Sequence, residues 1–146
     1  MRDILRQGLS PEKLALSLTL GVVLGVFPVV GATTLLCAAA ALLLRLNLPA
    51  IQIANYLVYP LQFALLIPWI RLGERLFGVA PLPLSLDQIR ALLDSGAWNA
   101  ARALGASTLG AIAAWLLVAP LAAFPIYWLL ASILRSSTLR RRLKLG

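Results

Sequence analysis

The chain has no histidine, one cysteine and five acidic residues among 146 positions. Without histidine, and with every acid (Asp3, Glu12, Glu74, Asp87, Asp94) outside the long apolar runs, the usual general acid–base pairs and zinc ligand sets are missing. No glycine-rich loop ends in Lys-Ser or Lys-Thr, so the phosphate cradle of nucleotide hydrolases is missing too. The sequence therefore reads as a non-enzyme with no cofactor and no metal; an unusual Ser/Thr- or Arg-based enzyme is the alternative. Cys37 stands alone in an apolar run, where it forms no disulfide within the chain and reads as a buried, inert thiol. The lack of titratable groups inside the runs also argues against proton-coupled transport, which commonly needs one at membrane depth.

Charge of any kind is scarce, at 12%, while 61% of residues are hydrophobic and the mean hydropathy is +0.91. A soluble domain carries roughly 25% charged residues to cover its surface. Placement strengthens the point. No Asp, Glu, Lys or Arg lies in Leu14–Leu44, Leu46–Ile70 or Ala103–Leu134. Each run exceeds the about 20 apolar residues that span a bilayer as a helix. The expected class is an all-α helical integral membrane protein, a single membrane domain over 1–146. Its parts are hydrophobic segments 14–44, 46–70 and 103–134, a polar interval 71–102 and a basic tail 135–146. A cleaved signal peptide ending near Ala38-Ala39-Ala40 fits poorly, because the apolar stretch is too long and two more follow.

The net charge is +8, with 13 Lys and Arg. The cations flank the runs: Arg2, Arg6 and Lys13 before the first, Arg135, Arg140, Arg141, Arg142 and Lys144 after the last. This is the pattern of the positive-inside rule, with both termini cytoplasmic. It lacks the basic–aromatic strips of a nucleic-acid binder, and no nucleic acid is expected as partner.

The runs are interrupted. Leu14–Leu44 as one rod would measure about 46 Å, and Gly25-Val26-Phe27-Pro28-Val29-Val30-Gly31 stands in its middle. Proline removes a backbone donor and glycine lets the chain turn. Two half-helices, Leu14–Val26 and Ala32–Leu44, each about 20 Å long, predict a re-entrant hairpin or broken helix; one kinked, tilted span is the alternative. A turn at that depth must be covered by protein or water. In 46–70, Asn47 is a candidate cap ahead of Pro49, and Pro60 and Pro68 predict either a kinked span or a second hairpin near Tyr59-Pro60. In the polar interval, Pro81 and Pro83 make an extended linker. Ser85-Leu86-Asp87-Gln88 matches a capping box, Gly96 a stop, and Leu86, Ile89, Leu92 and Leu93 share one face of a short amphipathic interfacial helix. In 103–134, Pro120 and Pro125 predict a third break.

Two features carry candidate chemistry. The second half-helix begins near Gly31, so its free amides and positive dipole end point into the interior, with Thr33 and Thr34 adding hydroxyls. Such an end suits an anion; alternatively both threonines bond back to their own helix and the glycines only permit close packing. The second is a polar stripe, Gln52, Asn55, Tyr56, Tyr59 and Gln62, at helical spacing in an uncharged run. Its groups must be paired or wet, by inter-helix hydrogen bonds or as the lining of a pocket. The candidate ligand-binding set is Gly25, Pro28, Gly31, Thr33, Thr34, Arg45, Gln52, Asn55, Tyr56, Tyr59, Gln62 and Arg71. The two arginines are placed to draw in an anionic head group, or to snorkel.

Pro11…Leu14-Ala15, the Gly21-x-x-x-Gly25-Val26-Phe27-Pro28-x-x-Gly31 turn, the Ala-rich stretch to Arg45-Leu46-Asn47-Leu48-Pro49, and Pro60 resemble a bacterial membrane family catalogued as domain of unknown function two thousand and sixty-two. Gly105 to Arg135 is similar to that family's last segment. The resemblance implies a bacterial inner-membrane location and a fold, and carries no activity. The family tends to have Gln-Thr after the turn and Asn-Pro before the second break. Here Thr33-Thr34 and Tyr59-Pro60 stand there, so a ligand held by those amides would be handled differently.

The functional expectation is a small, homo-oligomeric passive carrier or flippase for an anionic amphiphile, a phospholipid or polyprenyl phosphate, with membrane lipid as partner. The alternatives are a non-transporting membrane scaffold or accessory subunit, and a small ion or water channel.

Overall fold

A computed structural model describes residues 10–143; Arg2, Arg6 and Lys144, on which part of the basic flanking pattern rests, lie outside the described residues. Among the described residues there are six helices and no strand: α1 Pro11–Gly25, α2 Thr33–Leu43, α3 Leu48–Leu57, α4 Tyr59–Phe77, α5 Leu86–Asp94 and α6 Ala97–Leu143.

Helix α1 starts where its sequence dictates. Ser10 accepts a hydrogen bond from the Lys13 amide, and Pro11 takes the first turn, where no backbone donor is needed. The helix is central: no residue from Ser10 to Val29 is exposed. It packs between α3 and α6, while α2 lies against α1 and α3, and α4 runs along α6. Small residues set these distances. A Cβ on Gly21 would fall on the Ile51 carbonyl oxygen and 2.6 Å from the Ala54 Cβ, so α3 lies directly on the α1 backbone. The same device joins α4 to α6, where a Cβ on Gly73 would fall on the Gly110 backbone. At the outer end of α1, Glu12 meets Arg135 of α6 at 3.0 Å. A backbone amide in the first turn, and then Arg135, hold the Glu12 carboxyl below its usual value, so this tie is lost as the pH falls through that lowered value.

The first predicted break is present. Helix α1 ends at Gly25 and α2 begins at Thr33, with Gly31 between them at φ +88°, which a side chain would strain. Pro28 is buried, against protein rather than facing outward. Helix α2 closes with a Schellman pattern: Leu46 N–H bonds the Ala41 carbonyl at 2.8 Å, and Arg45 occupies the left-handed position at φ 51°.

The second segment is interrupted near Tyr59-Pro60 by a bend that fits either a broken span or a re-entrant turn. Asn47 caps α3 as expected, its side chain accepting from Ala50 at 2.9 Å. α3 and α4 then meet at Val58 with a bend of 63°. Pro60 occupies the first turn of α4, where proline is tolerated, and Pro68 lies inside the helix.

Helix reaches into the polar interval from both sides. α4 continues past Ile70 to Phe77 and ends on Gly78 in the left-handed region, φ 64°. α6 begins at Ala97 rather than Ala103, immediately after Gly96 at φ 106°. The capping box is present, Ser85 accepting from the Gln88 amide at 3.4 Å, but α5 has no buried residue: Leu86, Ile89 and Leu93 stay exposed.

The expected third break is absent. α6 runs unbroken for 47 residues, through both Pro120 and Pro125. Each proline costs one backbone bond, freeing the Leu116 and Leu121 carbonyls. The residues around them are Leu, Ala, Val and Phe, which sustain a helix, and no glycine supplies a positive φ as Gly31 does in the first break.

Large apolar side chains cover the outside, with Leu43 82% exposed and Leu121 75%, joined by Leu35, Leu57, Phe63, Leu117 and Phe124. Ala97–Ser136 is long and apolar enough to cross a membrane, and only 28% of its most apolar stretch is buried, unlike the core helix of a soluble protein. The bent α3–α4 pair meets the same length and hydropathy requirement when taken together.

Close crossings of this kind are directly testable. Gly73→Ala should lower stability by about 1–3 kcal/mol through overpacking. Gly110→Ala should cost less, because its Cβ would sit 3.4 Å or more from Gly73. Thermal unfolding of the two variants checks the order, and a larger loss for Gly110→Ala would refute the described crossing.

Candidate functional site

Where α1 stops, its last carbonyls lose their helical partners in the middle of the molecule. Three side chains from other helices supply donors. The Trp115 indole of α6 donates to the Val23 carbonyl at 3.2 Å, the Trp69 indole of α4 to Val26 at 3.1 Å, and the Gln62 amide of α4 to Phe27 at 2.9 Å. Phe27 stands edge-on to Trp115, ring centroids 5.0 Å apart, so the turn is also anchored by its aromatic side chain. Val23, Trp69, Ala111, Ala114, Trp115 and Ala119 form the surrounding core.

On the α2 side of the turn the polar stripe closes in. The Gln52 amide donates to the Thr34 carbonyl at 3.0 Å, and the Asn55 amide donates to the Gln52 side-chain oxygen at 3.2 Å. The hydroxyls of Thr34 and Tyr59 lie 3.5 Å apart, at the limit of a hydrogen bond. Asn55 also borders Gly25, where an added Cβ would lie 3.2 Å from its side-chain oxygen. The stripe and the turn are thus one constellation. The bend at Val58 keeps the stripe on the turn as the chain passes from α3 to α4.

Within it, three polar atoms are buried without a partner: the Thr33 hydroxyl, the Asn55 carbonyl oxygen and the Gln62 carbonyl oxygen. Ser17 and Thr19 in α1 do bond back to the carbonyls of Lys13 and Ala15, both at 2.8 Å, but Thr33 makes no such bond. No side chain caps the amino end of α2. The arrangement offers donors from the first turn of α2 and from hydroxyls, with two amide acceptors beside them.

Four of the candidate residues stand elsewhere or serve packing. Arg45 is exposed just past the far end of α2, which is about 16 Å long and begins at Thr33. Arg71 lies about 13 Å along α4 from Gln62 and is held by Glu74 at 2.7 Å. Neither guanidinium reaches the turn, so its electrostatics are those of dipoles and hydroxyls. Tyr56 is exposed, its ring 5.6 Å from that of Tyr59, because the turn-facing side of α3 is already occupied by Gln52 and Asn55. Gly25 sits in close contact between α1 and α3. Gly31 is exposed at the mouth of the turn, with open space beside it.

Trp69 and Trp115 were not legible as site residues from spacing. The available signal was chemical. Each is a donor-only side chain set inside a charge-free or nearly charge-free helical stretch, in a chain whose broken helix must leave carbonyls to be met.

Trp115→Phe should cost about 1–3 kcal/mol by leaving a buried carbonyl unpaired. Trp69→Phe should behave alike, whereas Trp98→Phe, at a largely exposed indole, should cost almost nothing. Chemical unfolding of the three variants decides it; equal effects at all three positions would contradict the donor role.

Comparison with curated proteins returned no match, and neither did comparison with solved structures. A family profile matches residues 1–143, which includes the turn, the stripe and all six described helices. The chain belongs to that family, described as an uncharacterized protein conserved in bacteria (DUF2062).

Proposed function

We propose that the protein is an integral protein of the bacterial inner membrane that receives the polar head of an anionic amphiphile at the amino end of α2 and carries it passively across. The exposed apolar shell and the long apolar α6 support the membrane placement, since water does not suit such a surface. The observation that carries the binding reading is that three polar atoms around the turn are buried without a partner: the Thr33 hydroxyl at the uncapped start of α2, and the Asn55 and Gln62 oxygens on the stripe. An unmade bond at a buried polar atom costs about 1–3 kcal/mol, so three of them around one turn support a polar partner there. The uncapped amides and the Thr33 hydroxyl suit the head group's anionic oxygens. The two amide oxygens suit donors, supplied by a hydroxyl of the same head group or by water travelling with it. The exposed Gly31 leaves the mouth of the turn open. With no guanidinium near the turn, selection rests on hydrogen-bond geometry more than on charge.

Thr33→Val plus Asn55→Leu separates this from a purely structural seam. Thr33→Val removes a buried unpaired atom and no bond, so alone it should be at least as heat-stable as the parent, whereas Asn55→Leu also gives up the bond to Gln52 and should bring the double variant down by about 1–3 kcal/mol. Binding should weaken by about tenfold or more, the equivalent of one to two lost hydrogen bonds. The measurement is transfer of a labelled anionic lipid between the leaflets of reconstituted liposomes. Wild-type liposomes no faster than empty ones would sink the carrier and leave the scaffold reading; single-channel currents would favour a channel instead.

A further inference from the structure

Beyond the apolar run, the last two turns of α4 carry Arg71, Glu74 and Arg75, and the chain then folds back over them. Glu74 is turned inward, its side chain 4% exposed, and accepts from the Leu82 amide at 2.6 Å and from Arg71 at 2.7 Å. A second Arg71 nitrogen donates to the Leu82 carbonyl at 3.3 Å. This clamp fixes the extended linker against α4. It bounds a recess of about 340 Å³ lined by Arg71, Glu74, Arg75, Val79 and Pro81.

The chemistry of the recess is uneven. Arg71 and Arg75 are four residues apart and share a helical face. Glu74 neutralises one of them, which leaves one positive charge in excess. Arg75 is exposed and has no hydrogen-bond or ionic partner among the described residues. A guanidinium beside a fixed second one, at the rim of a cavity, suits a phosphate, two of whose oxygens a planar guanidinium can take at once. The surroundings point to the source. Leu76, Phe77 and Leu84, on and just beyond the same turns, are about half exposed, and the recess sits where the apolar run gives way to polar sequence.

We propose that this recess is a second site, distinct from the turn, that holds the phosphate of an anionic phospholipid at the membrane boundary, with Arg75 as its principal contact and Arg71 positioned by Glu74. It rests on the membrane placement proposed above and not on the carrier reading. The phosphate lies against the guanidiniums while the acyl chains run down the exposed apolar side chains of α4.

The test uses the full chain in neutral detergent and reads its thermal midpoint with added phosphatidylglycerol, phosphatidylcholine or inorganic phosphate. Phosphatidylglycerol should raise the midpoint by several degrees and the other two by far less. Arg75→Gln should remove more than half of that rise while leaving the lipid-free midpoint unchanged, and Arg75→Lys should keep part of it. Arg90→Gln, an exposed arginine on α5, should keep all of it. An equal rise with phosphatidylcholine, or with phosphate alone, would overturn the anionic-lipid assignment. So would an Arg75→Gln response equal to wild type, or an equal loss in Arg90→Gln, which would mean diffuse surface charge. Membrane fractionation separates the two failures: a chain washed off by alkaline extraction defeats the membrane placement itself, whereas an embedded chain with no phosphatidylglycerol preference defeats this site alone.

Discussion

The structure depends on three donors reaching the cut end of one helix. Helix α1 stops at Gly25 among the other helices, and the carbonyls at and just past its end are buried or half-buried. Trp115, Trp69 and Gln62 meet the oxygens of Val23, Val26 and Phe27. They come from α4 and α6, so satisfying the break also fixes where those two helices stand relative to α1. A broken helix is then no weak point in the chain. It organises the packing around it, and the T-shaped contact of Phe27 with Trp115 adds to the same hold.

The carbonyl side of the break is closed by these donors while the amide side is left open. At the start of α2 no side chain caps the helix, and the Thr33 hydroxyl lacks a partner. The Gln52–Asn55 amide chain stops one bond short, at the Asn55 oxygen. An asymmetry between a completed half and an uncompleted half of one turn is the main physical reason to look for a ligand here. Buried polar groups in native structures are almost always paired, and a network left incomplete is costly unless something else completes it.

How much of this could be read from residues alone depended on whether the signal was local. The break at Gly25–Gly31 was legible because proline and a positive-φ glycine act on the backbone where they stand. The Asn47 and Ser85 caps were legible for the same reason, each being a bond to an amide three residues on. The stripe facing the turn could be stated as a condition, since helical spacing puts Gln52, Asn55, Tyr59 and Gln62 in one row but says nothing of what the row faces. What spacing could not give was non-local. Pro120 and Pro125 were expected to break α6, yet a lone proline costs one bond and leaves the helix direction open. Without a glycine alongside, the surrounding Leu and Ala carry the helix through. Arg45 and Arg71 looked close to the site in sequence because helix ends border the runs, but a helix separates its two ends by its whole length. The crossing of Gly73 on Gly110 joins two helices distant in sequence and left no local trace.

The unbroken α6 has a mechanical consequence for its surroundings. Its charge-free part, Ala103–Leu134, measures about 48 Å, against a hydrocarbon layer of roughly 30 Å. Even at about 40°, the upper end of helix tilt, it would still span about 37 Å of depth. In a bilayer, then, the neighbouring acyl chains must stretch, or the oily ends of the rod must poke into the head-group zone. Under the proposed membrane placement, such a rod would deform its own solvent and favour thick patches of membrane over thin ones.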